Sequence, residues 1–204
     1  MTDRKPVSAA EKEKQDKGSR LISQLIKYGG PDIDLCRRFL KEGAALDVAD
    51  YEGRTALIYA AKNGQKEILR MILERGTNIN HQDKNKDTAL TWATSRNHTD
   101  IMTTLLNHGA NVNIETDDGH TPLMVTAIHN HINSAHILLD YGADTEKKND
   151  AGQTARDIAL DRGYTDIAEI IWKHNVKKAF TAAAKSGTAR PRKIMRKSME
   201  PQLL

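Results

Sequence analysis

Four histidines lie within a short stretch of the sequence and raise the question of a metal site. They are His120, His129, His131 and His136, the last three in HNHINSAH. A zinc ion requires three or four nitrogen or sulfur ligands that converge tetrahedrally. The chain has one cysteine, Cys36, which is distant in sequence. The histidines are spread over helical patterns and a turn, so their rings should not converge on one point. We therefore expect neither a metal nor another cofactor.

The sequence lacks the local motifs of enzymes. It contains no G-x-S-x-G, no Walker-type phosphate loop and no H-E-x-x-H. Asp117 and Asp118 form an acidic pair, but they lie in a polar link, where a solvated loop is the simpler interpretation. Cys36 lies beside Arg37 and Arg38, which would lower the pKa of its thiol, yet its apolar column favours a core residue. We therefore predict a protein that is not an enzyme.

A repeat with a period of 33 residues organises the chain. Near-copies of one segment occur as EGRTALIYAA at 52–61, NKDTALTWAT at 85–94, DGHTPLMVTA at 118–127 and AGQTARDIAL at 151–160. Periods of roughly 20–50 residues are typical of stacked units, each of which buries its apolar face against the next. An aromatic content of 4% fits many small aliphatic contacts better than one large core.

The columns of this repeat predict two short helices in each unit. A threonine precedes the first helix and can cap it, since its oxygen accepts an unpaired backbone N–H. Glycine or asparagine, which tolerate a left-handed backbone, ends that helix. The capping threonines are Thr55, Thr88, Thr121 and Thr154, and the helix-ending residues are Gly64, Asn97, Asn130 and Gly163. The second helix has an apolar column and ends at Gly76, Gly109 and Gly142.

This pattern resembles the ankyrin repeat, whose period is 33 and whose first helix starts with T-P-L-H-x-A. TPLM at 121–124, the Gly-Ala pairs at 109–110 and 142–143, and N-V-N at 111–113 carry the resemblance. It implies an all-α fold, a solenoid of stacked helix-turn-helix units joined by β-hairpin-like loops. We expect the repeat domain at 18–175, with a degenerate first unit at 18–49, full units at 50–82, 83–115 and 116–148, and a capping unit at 149–175.

Some positions depart from the family pattern. The family's histidine is replaced in the four copies by Ile58, Thr91, Met124 and Asp157, so the bond it makes at the helix start is lost or remade. Lys86 stands where the other copies have glycine. Ser134 occupies a column that is otherwise isoleucine.

The resemblance implies that the chain binds a protein partner through the concave surface formed by loop tips and first helices. The loop-tip candidates are Tyr51, Glu52, Arg54, Lys84, Asn85, Asp87, Asp117, Asp118 and His120. The candidates on the first helices are Lys62, Arg96 and His129. A merely solvated face is the alternative. Tyr59 and Trp92 share one helix column, and we interpret them as core packing rather than as a ligand cage.

The ends of the chain differ from the repeats in charge. Residues 176–204 hold eight basic and one acidic side chain, a net charge of +7, whereas the repeat region is mildly acidic. Their basic cluster consists of Arg190, Arg192, Lys193, Arg196 and Lys197. Such a cluster serves nuclear import, nucleic acid or an anionic membrane, or forms a solubilising disordered tail. Residues 1–17, with mixed charge and little apolar content, are expected to be a disordered arm.

Other features bound the location of the protein. One cysteine excludes an internal disulfide and fits a reducing compartment, in line with a cytoplasmic or nuclear location. We also expect the protein to be a monomer. No apolar run of about 18 residues predicts a transmembrane helix, and residues 1–20 do not resemble a secretory signal. Two alternatives to partner binding by the repeats remain: nucleic-acid or membrane binding by the tail, and export by an intracellular bacterium into a host cell.

Overall fold

The computed structural model describes residues 8–27 and 30–185. These residues form ten α-helices, and their only β-type pairing is an isolated bridge between Ala49 and Thr55. The helices are α1 Ala9–Leu25, α2 Ile33–Lys41, α3 Ala56–Lys62, α4 Lys66–Leu73, α5 Ala89–Ser95, α6 Thr99–Asn107, α7 Pro122–His129, α8 Ile132–Asp140, α9 Ala155–Asp161 and α10 Thr165–Lys185.

The helices stack in two layers. The odd-numbered helices pack on one another in chain order from α1 to α9, and the even-numbered helices do the same from α2 to α10. The core between the layers is aliphatic, with Leu57, Leu90 and Leu123 fully buried in successive first helices. No single unit encloses a core, because each buries its apolar side chains against the next. The predicted all-α solenoid is confirmed.

The first helices begin and end where the repeat columns predict. At the start of α3, α5, α7 and α9, a threonine hydroxyl accepts the backbone N–H three residues later. The residues that follow these helices have left-handed backbones, with φ of 74° at Gly64, 57° at Asn97, 58° at Asn130 and 74° at Gly163. Both predicted kinds of cap are therefore confirmed.

The residues that replace the family's histidine remake its bond in three of four units. Thr91 accepts the N–H of Thr88 at 2.7 Å through its hydroxyl oxygen. Asp157 accepts the N–H of Thr154 at 2.9 Å through its carboxylate. The sulfur of Met124 lies 3.5 Å from the N–H of Thr121, a weaker acceptor. Ile58 has no polar atom with which to do the same.

Two further departures also have a structural account. Ser134 is fully buried, and its hydroxyl donates to the side-chain oxygen of Asn97 at 2.8 Å, so it links neighbouring units. Lys86 adopts a φ of 58°, the left-handed region that its glycine counterparts occupy without a Cβ penalty.

Cys36 is buried in the core, and burial followed by the Asp32 charge raises the pKa of its thiol to about 11.

The N-terminal boundary differs from the sequence prediction. Helix α1 starts at Ala9, capped by Ser8, whose hydroxyl accepts the N–H of Glu11 while the Glu11 carboxylate accepts the N–H of Ser8. Gly18 lies so close to the loop after α2 that an added Cβ would be 2.3 Å from the carbonyl oxygen of Ala45. The expected disordered arm at 1–17 is therefore corrected for residues 9–17, which are helical, although the side chains of residues 9–16 are exposed.

The C-terminal boundary also moves. The expected end of the capping unit at 175 falls inside α10, which runs without interruption from Thr165 to Lys185. Residues 173–185 contain no glycine or proline and several good helix formers, so nothing in that segment ends the helix. The basic cluster at 190–197 lies outside the described residues.

Candidate functional site

A side-chain oxygen closes the backbone of each loop tip by accepting N–H groups within it. Asp50 accepts the backbone N–H groups of Glu52 and Arg54, both at 2.9 Å. The same position in the following units is occupied by Asp83, Thr116 and Asn149, each of which accepts an N–H within its own tip. Residues of these types favour such turns. This column was not among the sequence candidates, although its polar residues recur every 33 positions.

Neighbouring tips are also joined through their backbones. The N–H of Lys84 donates to the carbonyl oxygen of Glu52 at 3.0 Å, and the N–H of Asp117 donates to that of Asn85 at 2.9 Å. The N–H of Asp150 donates in the same way to Asp118 at 3.3 Å. The tips therefore form one continuous edge, from which the candidate side chains project. Tyr51 is exposed at 80%.

In two units an aromatic side chain of the first helix binds the tip carboxylate. The Tyr59 hydroxyl donates to Asp50 at 2.6 Å, and the Trp92 indole N–H donates to Asp83 at 3.1 Å. The two rings are thus hydrogen-bonded to the loop tips. The sequence predicted only that they pack in the core. Trp92 stays half-buried, so part of its ring remains available on the surface.

Two cationic side chains lie against the Trp92 ring. The Arg54 guanidinium pairs with Asp83 at 3.3 Å and lies 5.1 Å from the ring centroid. The Lys62 ammonium lies 4.1 Å from the same centroid, a cation–π distance. Burial first, then the charges of Arg54 and Arg96, lower the pKa of Lys62. We call this group, with its aromatic ring, the cationic patch: Arg54, Lys62, Trp92 and Arg96.

One unit further along lies a shallow pocket with the opposite charge. Its volume is about 430 Å³. It is lined by Asn85, Asp87, Thr116, Asp117, Asp118, His120 and Val125, and we call it the acidic pocket. Burial, followed by the charges of Asp83 and Asp118, raises the pKa of Asp87 to about 6. The pocket thus holds a carboxylate in a site where ionisation is costly.

The pocket exists because three repeat columns hold different residue types in consecutive units. At the interface between the units at 50–82 and 83–115, the three columns hold Arg54, Asp83 and Trp92, which bind one another. We call this the filled interface. One repeat period further along the chain, the same three columns hold Asp87, Thr116 and Val125, which provide neither a cation nor a large ring. This is the open interface, defined by those three residues.

The remaining candidates are more dispersed. His129 stacks on His131 with ring centroids 5.4 Å apart, and burial, then the charges of His131 and Arg162, lower its pKa. His120 meets the Asn149 side-chain amide at 3.1 Å. Lys84 is exposed at a tip, and Glu52 is half-buried. The tail candidates Arg190, Arg192, Lys193, Arg196 and Lys197 lie outside the described residues.

Several histidine rings are engaged by backbone oxygens. His81 contacts the carbonyl of Gly53 at 2.9 Å, His108 that of Thr104 at 2.8 Å, and His131 that of Thr94 at 2.9 Å. Within 8–27 and 30–185, no cluster of three or more histidine, cysteine or acidic side chains is arranged to hold a metal ion. Among the described helices, none has the length and apolar character needed to cross a membrane.

Comparison with known families gives a clear match. A family model for ankyrin repeats matches three overlapping segments, residues 7–83, 75–149 and 113–182. The first segment includes α1, and the last reaches into α10, in agreement with the helix bounds. No curated protein matches the chain significantly.

Proposed function

The chain belongs to the ankyrin-repeat family, whose repeats are generally protein-interaction modules, and on that premise we propose that it binds a partner protein without catalysing a reaction. The binding surface would be the recognition face, which consists of the tips at 50–54, 83–87, 116–120 and 149–153 and the adjoining sides of α3, α5 and α7. Solenoids present such extended surfaces to their partners.

The half-buried ring of Trp92 is the observation that carries this proposal. Tryptophan, tyrosine and arginine dominate the energetics of protein interfaces. The hydrogen bond from the Trp92 indole to Asp83 and the cations Arg54 and Lys62 hold the ring in one orientation. A side chain that is already ordered loses little conformational entropy on binding. Trp92 is thus suited to be an anchor.

The exposed chemistry of the recognition face also supports the proposal. Some buried columns repeat one residue type from unit to unit, such as Leu57, Leu90 and Leu123. A partly exposed column of the recognition face instead holds Arg54, Asp87 and His120 in succession. A second surface column holds Asn63, Arg96 and His129. Such a face offers different contacts at each step along the stack, as recognition of one particular partner requires.

Affinity capture from cell lysate tests the proposal with full-length baits. The face variant combines Tyr51→Ala, Lys62→Ala and Arg96→Ala. A matched control combines Arg70→Ala, Glu74→Ala and His136→Ala, which are exposed on or next to second helices. We expect wild type and control to enrich the same proteins, and the face variant to lose them by about tenfold or more. Equal enrichment by all three baits would contradict binding through this face.

A chain shortened to 1–185 tests the tail-based alternative. This end point keeps α10 whole, whereas a cut at 175 would divide it. We expect the shortened chain to retain the captured proteins. If the full chain instead captures nucleic acid or anionic vesicles, and 1–185 captures nothing, function belongs to the basic tail. Salt dependence would then be steep, since such binding releases counterions.

A further inference from the structure

We propose that the segment recognised by this protein is an extended peptide of its partner that places a carboxylate on the cationic patch and a basic side chain in the acidic pocket. This inference rests on the proposed function and adds the chemistry of the partner. Its basis is the opposite charge of two adjacent regions and the shape of the open interface.

The cationic patch carries more positive charge than it neutralises. Arg54 is paired with Asp83, but neither Lys62 nor Arg96 has a carboxylate within ion-pair distance in the described part of the chain. Lys62 is half-buried against the Trp92 ring and repelled by the two arginines. A carboxylate bound there would supply the missing counter-charge in a partly desolvated site, where charge-assisted hydrogen bonds are strong.

The acidic pocket has the reverse imbalance. Asp117 pairs with Lys86 at 3.1 Å on the exposed rim. Asp87 and Asp118 have no cationic side chain at ion-pair distance among the residues that the structure describes. At the filled interface, the position equivalent to Asp87 is Arg54, a cation that pairs with the carboxylate of Asp83. The open interface leaves that cation to be supplied from outside.

The shape of the pocket suits a lysine or arginine side chain. Val125 stands where the filled interface has Trp92, and although it is only 9% exposed, it lines the pocket beside the carboxylates. Long basic side chains lay their aliphatic stems on apolar surface and keep the charged group at a polar rim. The stem would lie along the pocket wall that Thr116 and Val125 form, and the head group would reach Asp87 and Asp118.

The distance between the two regions sets the spacing in the peptide. They lie one unit apart, and packed helices are separated by roughly 8–10 Å. An extended chain advances about 3.3 Å per residue. The acidic and the basic residue of the peptide should therefore be about three positions apart. A nucleic acid would not meet this requirement, because its regularly spaced phosphates would face Asp87, Asp117 and Asp118.

Selection from a phage-displayed library of random linear peptides tests the inference on the full-length protein. We expect enriched peptides to combine an acidic and a basic residue about three positions apart. The variant Lys62→Glu with Arg96→Glu should reduce capture of these peptides by about tenfold or more. Asp87→Asn with Asp118→Asn should have a similar effect. The control Arg70→Glu, on α4, carries the same kind of charge reversal and should leave capture unchanged.

The outcomes separate this inference from the proposed function. Enriched peptides that bind the recognition face but lack the paired charges, or that are insensitive to both charge variants, would overturn the inference and leave partner binding standing. Failure to enrich any peptide that depends on the recognition face would count against both. A single-stranded oligonucleotide that outcompetes the peptides, and whose binding is lost with Lys62→Glu and Arg96→Glu, would also overturn it.

Discussion

The filled and open interfaces use the same backbone frame for opposite purposes. In the filled interface, Arg54, Asp83 and Trp92 satisfy one another, and the Asp83 side chain is only 1% exposed. In the open interface, Asp87 faces Thr116 and Val125, with a pocket where the ring would be. The comparison indicates that side chains in these columns change as a set. A matched set stabilises the stack, whereas an unmatched set leaves a site that a ligand can complete.

The largest expected effect comes from breaking the filled interface. Asp83→Ala removes the acceptor of Trp92, the partner of Arg54 and the oxygen that closes the tip. Removing one member of a buried ion pair typically costs about 3–5 kcal/mol, and we expect a loss of that order in the free energy of unfolding. Urea denaturation measures it.

Its matched control lies at the open interface. Thr116→Ala, in the same column, removes a single bond at 3.2 Å to the His120 N–H. We expect it to cost only about 1 kcal/mol. If Asp83→Ala were no more destabilising than Thr116→Ala, the account of a matched set would be wrong.

The next effect concerns the unmatched carboxylate. Folding raises the pKa of Asp87 to about 6, from an ordinary value of 3.8, through burial and the charges of Asp83 and Asp118, although Thr91 and Arg54 oppose this. The folded state therefore holds this proton more tightly, so this contribution to stability is lost as pH rises from about 4 to 6. Asp117 and His120 line the same pocket.

Asp87→Asn should remove this penalty. We expect it to raise the free energy of unfolding by about 2 kcal/mol near neutral pH, with little difference from wild type below about pH 4. Urea denaturation across this range measures the gap between the two proteins. Asp118→Asn, exposed on the rim, serves as the control and should change stability by less than about 0.5 kcal/mol. A gap that does not vary with pH would refute the assignment.

The smallest expected effect concerns one repeat column of the loop tips, in which Lys86 and Gly119 occupy equivalent positions. Lys86→Gly relieves a left-handed φ of 58°, worth about 1 kcal/mol, and loses the exposed ion pair with Asp117. We expect a net stabilisation of about 0.5 kcal/mol in thermal unfolding. The reciprocal Gly119→Ala should destabilise, because its Cβ would lie 2.7 Å from a carboxylate oxygen of Asp150. Stabilisation by both changes would contradict this reading.

Much of the frame could be predicted because it depends on local rules. The capping threonines and the left-handed residues after the helices follow from residue type and the 33-residue period alone. The early start of α1 was also readable, since Ser8 and Glu11 have the spacing of a capping box. The mixed charge of that segment nevertheless favours disorder. The contact of Gly18 with Ala45, which joins α1 to the stack, is visible only in the folded structure.

The recognition face was harder to predict, because its contacts cross unit boundaries. Arg54 and Asp83 are 29 positions apart, an offset that no column of the 33-residue period reveals. The period places Tyr59 and Trp92 in one column, but it does not show that their side chains bind Asp50 and Asp83. The loop-tip candidates remain predictions, and the sequence alone could not divide them into a cationic patch and an acidic pocket.

Site-specific photo-crosslinking tests the central claim most directly. A benzophenone amino acid would replace Asn85, which is exposed and lines the acidic pocket, or His136, which is exposed on α8. In cell lysate, we expect the full-length chain labelled at 85 to form an adduct with a partner protein, and the chain labelled at 136 not to form it. Adding Lys62→Glu and Arg96→Glu should suppress the adduct. The same adduct from both positions, or one that ignores these charges, would contradict the claim that the recognition face binds the partner.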